Sequence, residues 1–300
     1  VQESPGLSCT FLRFVLSGAK TCVEERNVMK PYLENVRKTS PLIHCITNYV
    51  TVNDVANMLL AAGASPVMSD EPEDVEDITS ISSALLINIG TLHEKSIEAM
   101  FLAGKKAKEQ GKIIVLDPVG AGASKLRTET AKRILTELQP QIIRGNISEI
   151  KALLFDASGT KGVDASIDDA VTAENLKQAA DFAKACAKQS SAIVSISGAI
   201  DLIADADTCY AVYNGRAEMA KVTGTGCQLG ALTAAFAAAN PDALLAACTA
   251  AVCLMGYAGE TAWMDLKKEE GNATYRNRII DAVSNMTSSD LERGARYEIF

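Results

Sequence analysis

The sequence predicts a layered α/β domain with a mostly parallel central sheet, and three observations carry that prediction. From Lys30 onward, short β-rich runs alternate with longer helical patterns. Residues 84–89 and 113–116 are compact apolar runs on either side of a helical stretch, 93–110, whose lysines mark a solvent face, so the three make one βαβ unit. No proline- or serine-rich linker and no fixed-period repeat interrupts the 300 residues, which places them in one domain.

The elements follow in order. Residues 1–28 lack the α/β rhythm and precede Met29-Lys-Pro-Tyr32, so they read as an extension outside the fold, with the native chain expected to begin at Met29. Residues 52–64 form the first helix, and after the βαβ unit strands are expected at 141–143, 192–197, 201–204 and 209–213. A helix at 173–189 separates the first two of these, and the last two suggest a hairpin. Two alanine-rich helices, 228–239 and 242–262, are divided by Asn240-Pro241, because the residue before a proline avoids the helical region. Within the second, the uncharged run 243–259 contains Thr249, Gly256 and two cysteines among its alanines; it is less hydrophobic than a leucine-rich membrane span and reads as a buried helix.

Composition excludes several classes of function. With 48% hydrophobic and 22% charged residues the chain is globular rather than disordered. Its 29 basic residues face 37 acidic ones, a net charge of −8 with no dense basic run, so neither nucleic acid nor an anionic membrane is the expected main partner. The eight cysteines form no CxxC pair and the two histidines, His44 and His93, are far apart, which argues against structural zinc. Such cysteines read as reduced core residues of a cytoplasmic protein without disulfides. Arg13 interrupts the apolar run 9–16, making it a poor export signal.

Chemistry-bearing residues cluster at predicted strand ends. Val222-Thr-Gly-Thr-Gly-Cys-Gln-Leu-Gly230 lies between a presumed strand and a long helix. Its glycines would let backbone N–H groups and the helix dipole converge on phosphate, or else simply make a tight turn. It matches neither a Rossmann fingerprint nor a P-loop. Cys227 falls where the helix begins, a place that activates a thiol, although a small packed residue is the plainer reading. Asp117-Pro-Val-Gly-Ala-Gly-Ala-Ser124 follows an apolar strand, so Asp117 either serves magnesium through water or closes a turn. Arg144-Gly-Asn-Ile-Ser-Glu149 repeats the pattern with a guanidinium suited to phosphate and a carboxylate that could equally be a first-turn helix acid. Asn48, Asn53, Asp54 and Asn57 surround the start of the first helix as candidate caps, Met68 is core or pocket wall, and the Ser197 hydroxyl reaches phosphate or closes a turn.

Six motifs, taken in order, resemble the hydroxyethylthiazole kinase family. They are Pro41-Leu-Ile-His-Cys-Ile-Thr-Asn48, Gly63-Ala-Ser-Pro-Val-Met68, Ile87-Asn-Ile-Gly-Thr-Leu92, the Asp117 and Arg144 segments above, and residues 222–230. The resemblance covers residues 29–287 as one kinase domain and leaves 288–300 as a C-terminal tail. It implies a ribokinase-like α/β fold, with a central mainly parallel sheet flanked by helices on both faces, and a homotrimer with active sites near subunit interfaces. It also implies ATP-dependent phosphorylation of the primary alcohol of 4-methyl-5-(2-hydroxyethyl)thiazole in thiamine salvage, with magnesium (Mg2+) as cofactor.

Residue by residue, the family pattern sets Met68 and Gly224 against the thiazole and Arg144 and Ser197 against ATP. Serine stands at the last position where the family usually has threonine, and it keeps the hydroxyl. Asp117 and Glu149 become the magnesium-side acids, and the amides of Gly224, Thr225, Gly226 and Cys227 an anion hole. Cys227 occupies the position where ribokinase relatives carry an aspartate base. Two alternatives remain: a kinase of the same fold acting on a hydroxymethylpyrimidine or pyridoxal-like alcohol, and a nucleotide-binding protein without transfer activity.

Overall fold

The computed structural model describes residues 29–155 and 171–300; the extension expected at 1–28 lies outside the described residues. Strands β1 (Leu42–Ile46), β2 (Ser65–Met68), β3 (Ala84–Asn88), β4 (Ile113–Asp117), β5 (Ile142–Asn146) and β6 (Ile193–Ser197) run parallel in the order β2-β1-β3-β4-β5-β6. Every residue of β3 is buried, the expected result when helices cover both faces of a parallel sheet. The predicted hairpin is present as β7 (Asp201–Ala204) and β8 (Cys209–Val212), antiparallel to each other, with β7 also antiparallel to β6.

Alternating strand residues feed two cores. Cys45, Leu86 and Val115 pack under α1 (Lys30–Thr39), α2 (Val52–Ala62), α8 (Thr225–Ala239), α9 (Leu244–Met264), α10 (Asn272–Asn285) and α11 (Ser288–Gly294). Leu85, Ile87, Ile114 and Leu116 face the other layer, α3 (Val75–Ile81), α4 (Glu94–Glu109), α5 (Lys125–Leu138), α6 (Ile147–Leu154) and α7 (Leu176–Ser190). The α9 stretch is, by length and composition, apolar enough to cross a membrane, yet most of it is buried inside the protein, as expected for a helix apolar on all sides in a core.

Several boundaries differ from the sequence reading for local reasons. Helix α2 stops at Ala62, because Gly63 adopts a left-handed conformation (φ 92°) and caps it. The chain enters the 222–230 glycine segment from a 3-10 turn, Ala217–Lys221, instead of a strand; its alanines, methionine and lysine favour helical backbone. The segment read as a C-terminal tail is folded: α11 buries Leu291, and β9 (Tyr297–Ile299) pairs antiparallel with β8, extending the sheet to nine strands among the described residues.

Candidate active site

Helix α2 returns from β1 on one face of the sheet and α3 enters β3 from the other, so strand order reverses between β1 and β3. Parallel α/β sheets open a crevice at such a switch point, beyond the carboxyl ends of the strands. Asn48, just after β1, and Asn88, closing β3, stand on the two sides of it, with Asn48 Nδ2 donating to Asn88 Oδ1 at 3.0 Å. Each side chain is oriented by other donors. Asn48 Oδ1 accepts from Thr51 N–H and Thr51 Oγ1, both at 3.1 Å, and Asn88 Oδ1 accepts from Gly90 N–H at 2.9 Å. Both carboxamide N–H groups therefore point at the Cys227 sulfur, 3.2 Å from each.

Cys227 is the third residue of α8, which starts at Thr225 with Gly224 as its N-cap. The amides of Gly224 to Cys227 open the helix and lack intrahelical acceptors, so they offer N–H groups to an anion. Gly224 is left-handed (φ 90°), and a Cβ there would lie 2.5 Å from Thr51 Cγ2. A Cβ at Gly226 would lie 2.7 Å from Arg144 Nη1, so the two glycines let the helix end meet α2 on one side and the Arg144 guanidinium on the other. Gly230 likewise lets α8 approach the Asp117 carboxylate.

Asp117 is fully buried at the end of β4 and accepts from Asn88 Nδ2 at 2.8 Å. Burial pushes its carboxyl up to about 7, against the lowering influence of Arg144, whose Nη1 is 3.9 Å from Oδ1. Arg144, also buried, donates through Nη2 to Ser197 Oγ at 3.0 Å, joining the ends of β4, β5 and β6. Glu149 makes a capping box with Asn146 at the start of α6 and accepts from Gly120 N–H at 2.9 Å, so it ties the loop after β4 to the junction of β5 and α6. The reading of Glu149 as a first-turn helix acid is therefore part of its role.

No group of three or more His, Cys, Asp and Glu among the described residues forms a metal cage. Magnesium seldom requires one, since it is usually held by one or two carboxylates together with substrate phosphates and water. Asp117 Oδ1 has no hydrogen-bond partner and the half-buried Glu149 keeps spare lone pairs, so the donor set fits that mode.

One cavity reaches the start of α8 through Thr225 and Gly226, and a second lies at the ends of β1 and β2. The first, about 590 Å³, is lined by Arg144, Ser197, Asp201, Gly215, Thr225 and Gly226. The second, about 200 Å³, is lined by Cys45, Thr47, Tyr49, Val52 and Met68, and the buried Thr47 hydroxyl has no hydrogen-bond partner. The structure thus brings together Asp117, Arg144, Ser197, Gly224, Thr225, Gly226 and Cys227, with Glu149 in the first turn of the adjoining helix α6, and sets Met68 in the separate small cavity. A third cavity, between α9 and α10, holds none of these residues.

The sequence reading gave Asn48 only a capping role and Asn88 none. The available signal was a polar amide inside the apolar run 84–89, a costly placement unless the group is paired. His44 lies in the 41–48 motif, and its distance in sequence from His93 argues against zinc. It is buried beside the smaller cavity, its Nε2 donating to the Ser69 carbonyl and its Nδ1 accepting from Thr79 Oγ1, both at 2.9 Å. Burial lowers its pKa, opposed by the Ser69 carbonyl and Asp74. The unfolded chain then binds the proton more readily, so the neutral ring's contribution to stability is complete above the unfolded pKa and is lost as pH falls below it. His44→Gln is expected to show a smaller fall in Tm than the wild type between about pH 7.5 and 5.5, measured by thermal melts across that range.

The family model described as "Hydroxyethylthiazole kinase family" matches residues 33–289. A hydroxyethylthiazole kinase of Clostridium acetobutylicum is 53% identical over 273 residues, covering 91% of this chain and 100% of that protein. The solved structure of the Pyrococcus horikoshii OT3 hydroxyethylthiazole kinase superposes with a TM-score of 0.80 at 34% identity, covering 92% of this chain and 99% of that one. A ribokinase-like superfamily protein of Enterococcus faecalis shares the fold at 13% identity, with a TM-score of 0.57 over 88% of this chain and 95% of its own.

Proposed function

Because the chain belongs to the hydroxyethylthiazole kinase family, we propose that its crevice transfers the γ-phosphoryl group of ATP to the primary alcohol of 4-methyl-5-(2-hydroxyethyl)thiazole, a step of thiamine salvage. The observation that carries this reading is the Cys227 sulfur, held by Asn48 and Asn88 at a helix N-terminus that lines the larger cavity, with the smaller cavity at the ends of β1 and β2. The smaller, lined by Met68, takes the thiazole with Gly224 alongside. The larger takes ATP, with Arg144 and Ser197 on its phosphates.

Phosphoryl transfer passes through a loose transition state that asks the protein for alignment and charge neutralisation more than for covalent chemistry. Arg144 supplies a fixed positive charge, and the amides of Gly224, Thr225, Gly226 and Cys227 stabilise the transferring group. Cys227 orients the alcohol and, as the thiolate, takes its proton late to become the thiol while the alcohol oxygen bonds to phosphorus and ADP leaves. Magnesium, when bound, neutralises phosphate oxygens, and Asp117 and Glu149 are the residues that would hold it through water. The family resemblance implies a homotrimer, and a neighbouring subunit covering the mouth of the Met68 cavity would bury the exposed side chains of Tyr49 and Val50. The buried free thiols of Cys45, Cys186, Cys209, Cys227, Cys248 and Cys253 suit a reducing, cytoplasmic setting.

The test is magnesium-dependent phosphorylation, with thiazole, pyrimidine and pyridoxal alcohols compared at equal enzyme concentration. Product from the thiazole alcohol alone supports the reading, and ATP binding without transfer to any of the three overturns it. Cys227→Ser is expected to keep measurable turnover, losing less than about 10²-fold, because an alcohol attacking through a loose transition state needs little from a base. Complete inactivation with nucleotide binding intact would contradict the positioning role.

A further inference from the structure

We propose that the C-terminal segment is a positioning clamp for the nucleotide side of the site, with Arg296 as its central positioning residue. The inference rests on the assignment of the larger cavity to ATP. One wall of that cavity is the loop 214–217, which leaves β8 and contains Gly215 in a left-handed conformation (φ 118°). Glycine takes that backbone without strain but leaves the loop many alternatives, so neighbouring groups must select this one.

Here those groups come from the end of the chain. Arg296 grips Glu260 of α9 with two hydrogen bonds, Nη1 to Oε2 at 2.9 Å and Nη2 to Oε1 at 2.8 Å, and Nη2 also donates to the Tyr213 carbonyl at 3.0 Å. Glu260 Oε1 in turn accepts the Gly215 N–H at 2.6 Å. Buried Asn214 completes the clamp: its Nδ2 donates to the Gly294 carbonyl at 2.9 Å, and its Oδ1 accepts the Arg296 N–H at 2.8 Å. From behind, α9 presents Gly256, where a Cβ would lie 2.6 Å from the Asn214 backbone carbon. Burial pushes the Glu260 carboxyl up, but Arg296 and the Gly215 amide outweigh it and hold the pKa below the ordinary range, so the pair is ionised at neutral pH.

Through Glu260 and Asn214, then, residues 294–296 fix loop 214–217 without touching the cavity themselves. The family model ends at residue 289, so residues 294–296 lie beyond the segment it describes, while Asn214, Gly215 and Glu260 lie within it. Arg296 is suited to the task because its planar fork meets a carboxylate at two points, which an ammonium cannot reproduce.

The test is the kinetics of Arg296→Leu, Arg296→Lys and Glu260→Gln in the full chain, together with ADP binding by calorimetry. Arg296→Leu is expected to raise KM for ATP about tenfold while KM for the thiazole alcohol changes less than about twofold, and Kd for ADP should rise in parallel with the first. Arg296→Lys should recover only part of the loss. Glu260→Gln keeps an acceptor for Gly215 and should show the same split at smaller amplitude, which decides the matter if Arg296→Leu does not fold. Equal changes in both KM values, or an unchanged ADP affinity in the folded variants, would overturn the clamp. Wild-type protein that binds ADP but leaves the thiazole alcohol unphosphorylated would overturn the functional reading alone, since the ADP comparison among variants still reports on the clamp.

Discussion

Arg144→Leu is expected to lower kcat/KM by about 10³-fold, the low end of what a phosphate-clamping arginine contributes to phosphoryl transfer. Arg144 is one buried cation serving three strand ends, next to Asp117, bonded to Ser197 and in contact distance of the Gly226 position. Leucine fills part of the volume but removes both the charge and the donor to Ser197. Lysine does not repair the loss, because an ammonium cannot hold the serine and a phosphate in the same fixed plane. The stability cost should stay below the roughly 3–5 kcal/mol usual for breaking a buried pair. Burial already pushes Asp117 up to about 7, so its carboxyl takes a proton readily once the guanidinium is gone. Steady-state kinetics with a parallel denaturant melt check both halves. A fall in kcat/KM smaller than tenfold, in a folded variant, would remove Arg144 from the phosphate site.

Gly224→Ala is expected to be damaging in two ways that a double variant separates. A left-handed backbone costs a non-glycine residue about 1–2 kcal/mol, and overpacking against a fixed neighbour adds about 1–3 kcal/mol. The neighbour is Thr51 Cγ2, at 2.5 Å from the added methyl, and Thr51 is not free to move because its N–H and hydroxyl both anchor Asn48. Displacing Thr51 therefore turns Asn48 away from Cys227, and activity is expected to fall by about 10²-fold, the scale of a reacting group moved by an ångström. Thr51→Ser removes the clashing methyl while keeping the hydroxyl. The Gly224→Ala, Thr51→Ser pair should then recover most of the activity but only the overpacking part of the lost stability. Full recovery of stability would show that backbone strain at residue 224 is negligible, and no recovery of activity would show that Asn48 does not transmit the damage.

Much of this site was legible before the fold was known. Asp117, Arg144 and Ser197 could be placed because parallel strands present their carboxyl ends to ligands, and each residue ends or closely follows an apolar run. Gly224 and Gly226 could be placed because glycines before a helix are the local condition for exposed amides. Asn48 and Asn88 were not assigned their roles, since 40 residues separate them and neither alone resembles anything but a cap or a strand end. The helices at Lys30–Thr39, Val75–Ile81, Lys125–Leu138 and Asn272–Asn285 were not singled out either. They are mostly polar and bury few apolar side chains, Leu33 and Val36 in the first and Tyr275, Ile279 and Val283 in the last, and packing against the rest of the fold supplies the stability that propensity does not.

By itself, the sequence determined the α/β class, the single parallel-sheet unit around 84–116, the hairpin at 201–212 and the ordered motifs that mark the family. All of these rest on periodicity or on short contiguous strings, which local sterics and burial encode directly. Only the tertiary structure decided that Cys227 is held by two carboxamides, that Met68 and Arg144 face different cavities, and that the last residues of the chain brace the wall of the larger one. Those facts depend on groups up to 179 residues apart meeting within hydrogen-bond distance, and such meetings are set by strand order and helix packing, which no local window of sequence contains.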